Sequence, residues 1–212
     1  MPTKCEKSEI VGGKHTQSRN HPQLGSSIRV EPIRKTRDVA LIKKLLADRP
    51  RDLCIFVSGI NTNLRGGDLL KITVGDVRHL GVGESFVVRE EKTGKLRRVT
   101  INAAVYAAVG RLLASRPDAR DDAYLFVSKK SGDRLTVSSL NKMVKGWCRQ
   151  INLPGNYGSH TLRKTWGYMM RTQHGVDIPT LMTVFNHATQ RQTLAYLGIQ
   201  ESDIQECYLK EI

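Results

Sequence analysis

Residues 158–175, GSHTLRKTWGYMMRTQHG, decide how this chain reads. At about 100° per residue, Leu162, Trp166, Met169 and Met170 fall on one side of a helix, while His160, Arg163, Lys164, Gly167 and Arg171 fall on the other. Ser159 stands where a cap is expected. The apolar side belongs in a core. The other is a basic strip, with His160 and Arg163 neighbours at i and i+3 and no bulk at Gly167 to block a close ligand. A guanidinium grips two phosphate oxygens in a fork, and an imidazole beside it exchanges a proton near neutral pH. A His and an Arg so spaced also occur on many solvated helices, so the strip gains meaning only from its company.

That company lies on both sides. Toward the C-terminus, residues 181–198, LMTVFNHATQRQTLAYLG, place His187 nine residues before Tyr196. A phenol has an intrinsic pKa of about 10, so a nucleophilic tyrosine needs a base or strongly positive surroundings. Toward the N-terminus, NTNLRGGDLL puts Arg65 and Asp68 at i and i+3, an ordinary ion pair or a carboxylate that orients a cation. Between them, SFVVRE and RRVTI are short β-like runs around EKTGK; this is a hairpin with Gly94 in the turn and Lys92 beside it.

The remaining pattern is helical. Val39, Ile42, Leu45 and Leu46 recur at helical spacing from Thr36 until Pro50, a second apolar stretch covers residues 53–60, and Leu69, Leu70 and Ile72 belong to a further helix. Asn102 is a cap for a helix lined by Val105, Val109, Leu112 and Leu113. After the turn at SKKSGD, Leu140, Met143, Val144, Trp147 and Ile151 form a stripe whose opposite face carries Lys142, Lys145 and Arg149. Residues 1–35 are polar, contain Gly12, Gly13 and Gly25, and read as a flexible arm. In the tail, Ser202 and Gln205 fit a capping box ahead of Ile204, Cys207, Tyr208 and Ile212, a helix over residues 202–212. The expected class is α+β, mainly α, with one small antiparallel β-sheet.

A chain of 212 residues holds one good core. Its 34 Lys and Arg against 20 Asp and Glu give a formal charge of +14, which calls for a polyanionic partner, nucleic acid first. Neither an 18-residue apolar run nor a lysine-rich amphipathic anchor supports a membrane. Cys5, Cys54, Cys148 and Cys207 form no CxxC pair, so no zinc or redox site is signalled, and they read as free thiols of a reducing compartment. The first residues, MPTKCEKSEIVGGKH, lack the apolar stretch of a signal peptide, and a cytoplasmic protein is expected.

The order of these pieces resembles the tyrosine recombinases, or phage integrases, from about Thr36 to Tyr196. NTNLRGGDLLKITVGDV is similar to that family's first-arginine box, EKTGKLRRVTI to its lysine hairpin, and SHTLRKTW and FNHATQRQTLAYL to its second and third boxes. The resemblance implies a helical catalytic domain over residues 36–212, including the tail helix. It implies that Tyr196 attacks phosphorus to give a 3′-phosphotyrosyl bond and that Arg65 and Arg163 hold the nonbridging oxygens. Lys92 would protonate the leaving 5′-oxygen, His160 assist at Tyr196, His187 bond the phosphate or leaving region, and Asp68 support the set from behind. No metal or cofactor is expected, since arginines and lysine carry the charge and the phosphotyrosine conserves the bond energy. The partner would be double-stranded DNA, touched also by Lys142, Lys145, Arg149, Lys164 and Arg171. Assembly would be a dimer on half-sites and a tetrameric synapse, nucleoid-associated, with accessory DNA-bending proteins in some systems.

Three departures stand out. RGGDL carries two glycines where relatives favour bulkier residues, which suggests a looser backbone or a close approach to DNA. FNHA replaces LGHS-like text before His187. About 35 polar residues are too few for the N-terminal helical domain most relatives carry, so the chain is similar in size to the stand-alone fimbrial phase-switch invertases, or is a fragment. Two rival functions are a type IB topoisomerase, which relaxes one strand, and a DNA-binding regulator that does not cut.

Overall fold

Pro50 ends one helix by beginning the next. In the computed structural model, which describes residues 30–199 together with Tyr208, Leu209 and Glu211, α1 (Thr36–Leu45) closes on Leu46 and α2 (Pro50–Gly59) starts with the proline at its first position, where a missing N–H costs nothing. The arm up to residue 29 and nearly all of the tail helix lie outside the described residues.

Helix α2 is the axis of the molecule. Cys54, Ile55 and Phe56 have no solvent exposure, and Phe56 meets Trp147 edge-on with ring centroids 6.0 Å apart. Around it pack α5 (Ala103–Ala114), entered through the predicted cap in which Asn102 Oδ1 accepts from Val105 N at 2.9 Å, and α7 (Ser159–Thr172). Two short helices, α3 (Gly66–Leu70) and α4 (Val74–Val77), follow α2; Thr73 and Asp76 cap α4 reciprocally. The hairpin pairs β1 (Ser85–Arg89) with β2 (Leu96–Thr100) antiparallel, Val87 opposite Arg98, and Gly94 takes φ +69° in the turn. Helix α6 (Val137–Gln150) buries Leu140, Val144 and Trp147, as its stripe predicts.

Two further helices are short and capped at both ends. Asp177 caps α8 (Ile178–Phe185), Thr189 caps α9 (Gln190–Leu197), and each ends on a left-handed residue, Asn186 and Gly198. They build a separate small cluster from Leu181, Phe185 and Leu197, with Trp166, Met170 and Tyr196 against it, while the remaining buried apolar residues join one main core. The segment just before Thr36 is already packed. Ile33 is fully buried, its N–H donates to Thr165 Oγ1 at 2.8 Å, and Glu31 N donates to Asn156 O at 2.8 Å, so residues 30–35 lie against α7 and the loop before it instead of hanging free. Ser159 is not the cap of α7: it is the first helical residue, its N–H satisfied by Asn141 Oδ1 of α6 at 3.0 Å. Among the described residues no helix is long and apolar enough to cross a membrane.

Candidate active site

Arg65 sits at the entrance of α3, and two carboxylates lie beneath it. Asp68, 1% exposed, accepts from Glu91 N at 2.8 Å through Oδ1 and leaves Oδ2 at 3.9 Å from Arg65 Nη1. Glu90 Oε2 is closer to Nη1, at 2.8 Å, an ion pair without aligned N–H geometry. Glu90 also accepts from Thr93 Oγ1 at 2.7 Å and from Arg97 Nη1 at 3.0 Å. Burial alone would raise the Glu90 carboxyl, but the Thr93 hydroxyl and the two guanidinium groups outweigh it and hold it at about 2. The paired glycines sit close to side chains of other elements, Gly66 to α6 and α7 and Gly67 to the end of Glu91. A Cβ on Gly67 would lie 2.5 Å from Glu91 Oε2, and one on Gly66 would press Leu140 and Ser159. Their role in the fold is close packing of protein on protein.

Arg163 comes from the first half of α7 and is 4% exposed. Its Nε donates to Asn63 Oδ1 at 3.1 Å, its Nη2 reaches Phe185 O at 3.4 Å, and its guanidinium lies 5.3 Å from the Phe185 ring centroid. Burial pulls it down to about 10, with the Tyr196 phenol pulling the other way and Arg65 adding to the fall; it remains a cation at neutral pH. His160, one turn earlier, keeps an exposed face. Burial of the rest, then Arg163, Lys164, Arg65 and Lys92, lower its pKa below the ordinary imidazole value.

Tyr196, on α9, is half-buried against Phe185 and His187, with centroids 5.0 and 5.1 Å away. Burial raises its phenol above the ordinary value, opposed by Arg163 and Arg65. His187 stacks on Phe185 and places Nδ1 3.1 Å from Thr193 Oγ1. That contact turns Nε2 away from Thr193. Burial, then Arg163 and Arg65, lower the His187 pKa as well. The unusual FNHA text has a backbone reason: Asn186 holds φ 57°, a region where Asn is the best substitute for Gly. Its side-chain Oδ1 accepts from Lys95 Nζ at 3.1 Å, tying this loop to the hairpin.

These groups meet in one cleft of about 400 Å³, lined by Arg65, Lys92, His160, Arg163, His187 and Tyr196 together with Thr93, Asn186 and Gln192. Asp68 lies buried behind Arg65. Lys92 is exposed on the hairpin turn. The outlying basic residues divide. Lys142, Lys145 and Arg149 are exposed on α6 as the stripe predicts. Lys164 is not on an open face: it is 8% exposed, with its ammonium 5.0 Å from the Tyr196 ring centroid. Arg171 is exposed but lies about 16 Å along α7 from His160 at 1.5 Å per residue, outside the cleft. Nor is Gly167 an opening for a ligand; a Cβ there would fall 2.4 Å from Phe185 and 2.8 Å from Leu197, so the missing side chain admits α8 and α9. Glu90, Arg97, Asn63 and Thr193 were not singled out from the sequence.

The model of the phage integrase family matches residues 35–202. A probable integrase/recombinase of Bacillus subtilis, YoeC, is 29% identical over 180 residues, 84% of this chain and 95% of that protein. The tyrosine recombinase XerA of Pyrococcus horikoshii is 29% identical over 174 residues, which cover 80% of this chain and 58% of the relative. Among solved structures, a XerA recombinase superposes with a TM-score of 0.69 at 22% identity, covering 89% of this chain and 65% of that one. A XerH site-specific recombinase bound to a palindromic difH substrate superposes with 0.68 at 18% identity, covering 86% and 53%. The fold is thus shared with longer chains, of which this one spans between half and two thirds.

Proposed function

Since the chain belongs to the phage integrase family, we propose that it is a site-specific DNA recombinase that cuts and rejoins strands through a phosphotyrosine at Tyr196. The observation that carries this is the convergence of two guanidinium groups, a lysine, two imidazoles and a half-buried phenol on one cleft from four separate stretches of chain. In the proposed reaction the Tyr196 oxygen attacks phosphorus while the P–O5′ bond breaks. Arg65 and Arg163 neutralise the nonbridging oxygens as their charge grows, and Lys92 gives its proton to the departing 5′-oxygen. His160 helps move the proton of Tyr196, and His187 uses Nε2 toward the phosphate or leaving group. Attack by another 5′-hydroxyl on the phosphotyrosine reverses the step and reseals a new pair of ends.

Duplex DNA is the proposed partner, with the exposed Lys142, Lys145, Arg149 and Arg171 available to its backbone, while Lys164, 8% exposed, offers it little surface. Two protomers would occupy paired half-sites and four a synapse within the nucleoid, with the 202–212 tail exchanged between neighbours and DNA-bending proteins assisting in some settings. The test is covalent capture from a randomised pool of nicked duplexes on a denaturing gel. Native protein should form an adduct that survives excess chelator, and Tyr196→Phe should form none while still shifting DNA. An adduct in Tyr196→Phe would assign another nucleophile, and relaxation of supercoiled plasmid without paired sites would favour topoisomerase action.

A further inference from the structure

A cleft that receives a phosphodiester gains from cations, yet Glu90 places a carboxylate, 6% exposed, beside Arg65, where it opposes the charge of the substrate. Its contacts account for it. One oxygen lies 2.8 Å from Arg65 Nη1 and takes the Thr93 hydroxyl at 2.7 Å, next to Lys92 in the turn. The other takes Arg97 Nη1 at 3.0 Å, and Arg97 Nη2 donates at 2.7 Å to Val184 O in the last turn of α8, the helix that leads into His187. Arg65, the Lys92 turn and the α8 end belong to three separate segments that have no covalent reason to keep one register. Glu90 touches the first two directly and the third through Arg97. With the Nη1 edge of Arg65 drawn down to Glu90, the rest of that guanidinium is left for the cleft.

Resting on the strand-cleavage reading above, we propose that Glu90 is a positioning residue for that reaction, holding Arg65, the Lys92 turn and, through Arg97, the end of α8 in one productive arrangement. Its carboxylate costs some attraction for DNA and gains geometry at the reacting phosphorus, where small misplacements cost large factors in rate. The two effects have opposite signs, which separates positioning from mere support of the fold. Glu90→Gln keeps the shape and removes the charge.

The experiment measures single-turnover cleavage and gel-shift affinity on a duplex recovered by covalent capture, with thermal melting as a control. Glu90→Gln should cleave about tenfold to a hundredfold more slowly, bind DNA as tightly as native protein or more so, and melt as a folded domain. Arg97→Met, which removes the branch to α8 together with the Arg97 contact on Glu90 but leaves the Arg65 and Thr93 contacts, should show the same split with a smaller loss. Cleavage by Glu90→Gln at the native rate overturns the proposal, and so does a parallel fall of melting temperature, affinity and rate, which would make Glu90 a support of the fold. An unchanged rate in Arg97→Met overturns the branch through α8. Native protein that forms no adduct on any duplex overturns the cleavage reading itself, and the positioning role with it.

Discussion

Arg163 is oriented by a residue without charge. Asn63 is 2% exposed, holds φ 53°, and accepts from Arg163 Nε. Asn tolerates that left-handed backbone better than Ala, and without its amide oxygen a buried guanidinium N–H would lose its partner. Asn63→Ala is therefore expected to cost about 1–3 kcal/mol in urea unfolding and to slow cleavage. Asn63→Gly, which relieves only the backbone, should recover part of the stability; full recovery of stability and rate would show that Arg163 does not need the contact. The two imidazoles set a pH dependence at the same scale. Both His160 and His187 are harder to protonate in the folded protein than the free-chain value near 6.5. Their neutral forms leave stability intact above that value; it falls as pH drops below 6.5 toward the lower folded pKa values, then levels off. A bound phosphate reverses the field and raises both. DNA binding should therefore take up protons on the acid side of neutrality and tighten as pH falls, measurable by calorimetry in two buffers of different ionisation enthalpy. Equal uptake in a His160→Gln, His187→Gln double variant would contradict this assignment.

Helix α7 shows at the scale of elements what a sequence pattern carries and what it omits. Its periodicity marks a helix with one polar side, and a polar side ordinarily faces water. Here the middle of that side, Arg163, Lys164 and Gly167, is covered by α8 and α9, with the charges of Arg163 and Lys164 over the Phe185 and Tyr196 rings, while His160 and Arg171 stay exposed. Nothing local in HTLRKTW announces that cover. The hairpin, by contrast, was legible down to its turn, since β-like runs and Gly94 are local signals, and so was the Asn102 cap. Reactive residues could be read because their types and order are distinctive. Their holders could not: Asn63 and Arg163 are 100 residues apart, Arg97 and Val184 87 apart, and only the fold introduces them. The same packing makes Gly167 testable. Gly167→Ala should gain helix propensity of about 1 kcal/mol but force Phe185 and Leu197 outward, with a net loss of about 1–2 kcal/mol from overpacking. A more stable Gly167→Ala protein in thermal melting would show that α8 and α9 yield freely.

For the whole molecule, a formal charge of +14 makes salt the first variable of binding. The log–log dependence of affinity on salt should have a slope of roughly 0.9 per phosphate contacted, and a flat response would remove DNA as the partner. The division of the apolar interior bears on time instead. Among the described residues, the fully buried apolar residues of the unit on which Tyr196 rides are only Leu181, Phe185 and Leu197, while α2 is set in the main core. Opening free energies follow such divisions. Amide protons of α8 and α9 should thus exchange with deuterium through a partial opening, well before those of α2, whose exchange waits for global unfolding. Identical denaturant dependence in the two sets would make the protein one cooperative unit. With the expected difference, the nucleophile can be unseated and reseated many times within the lifetime of a scaffold that stays folded.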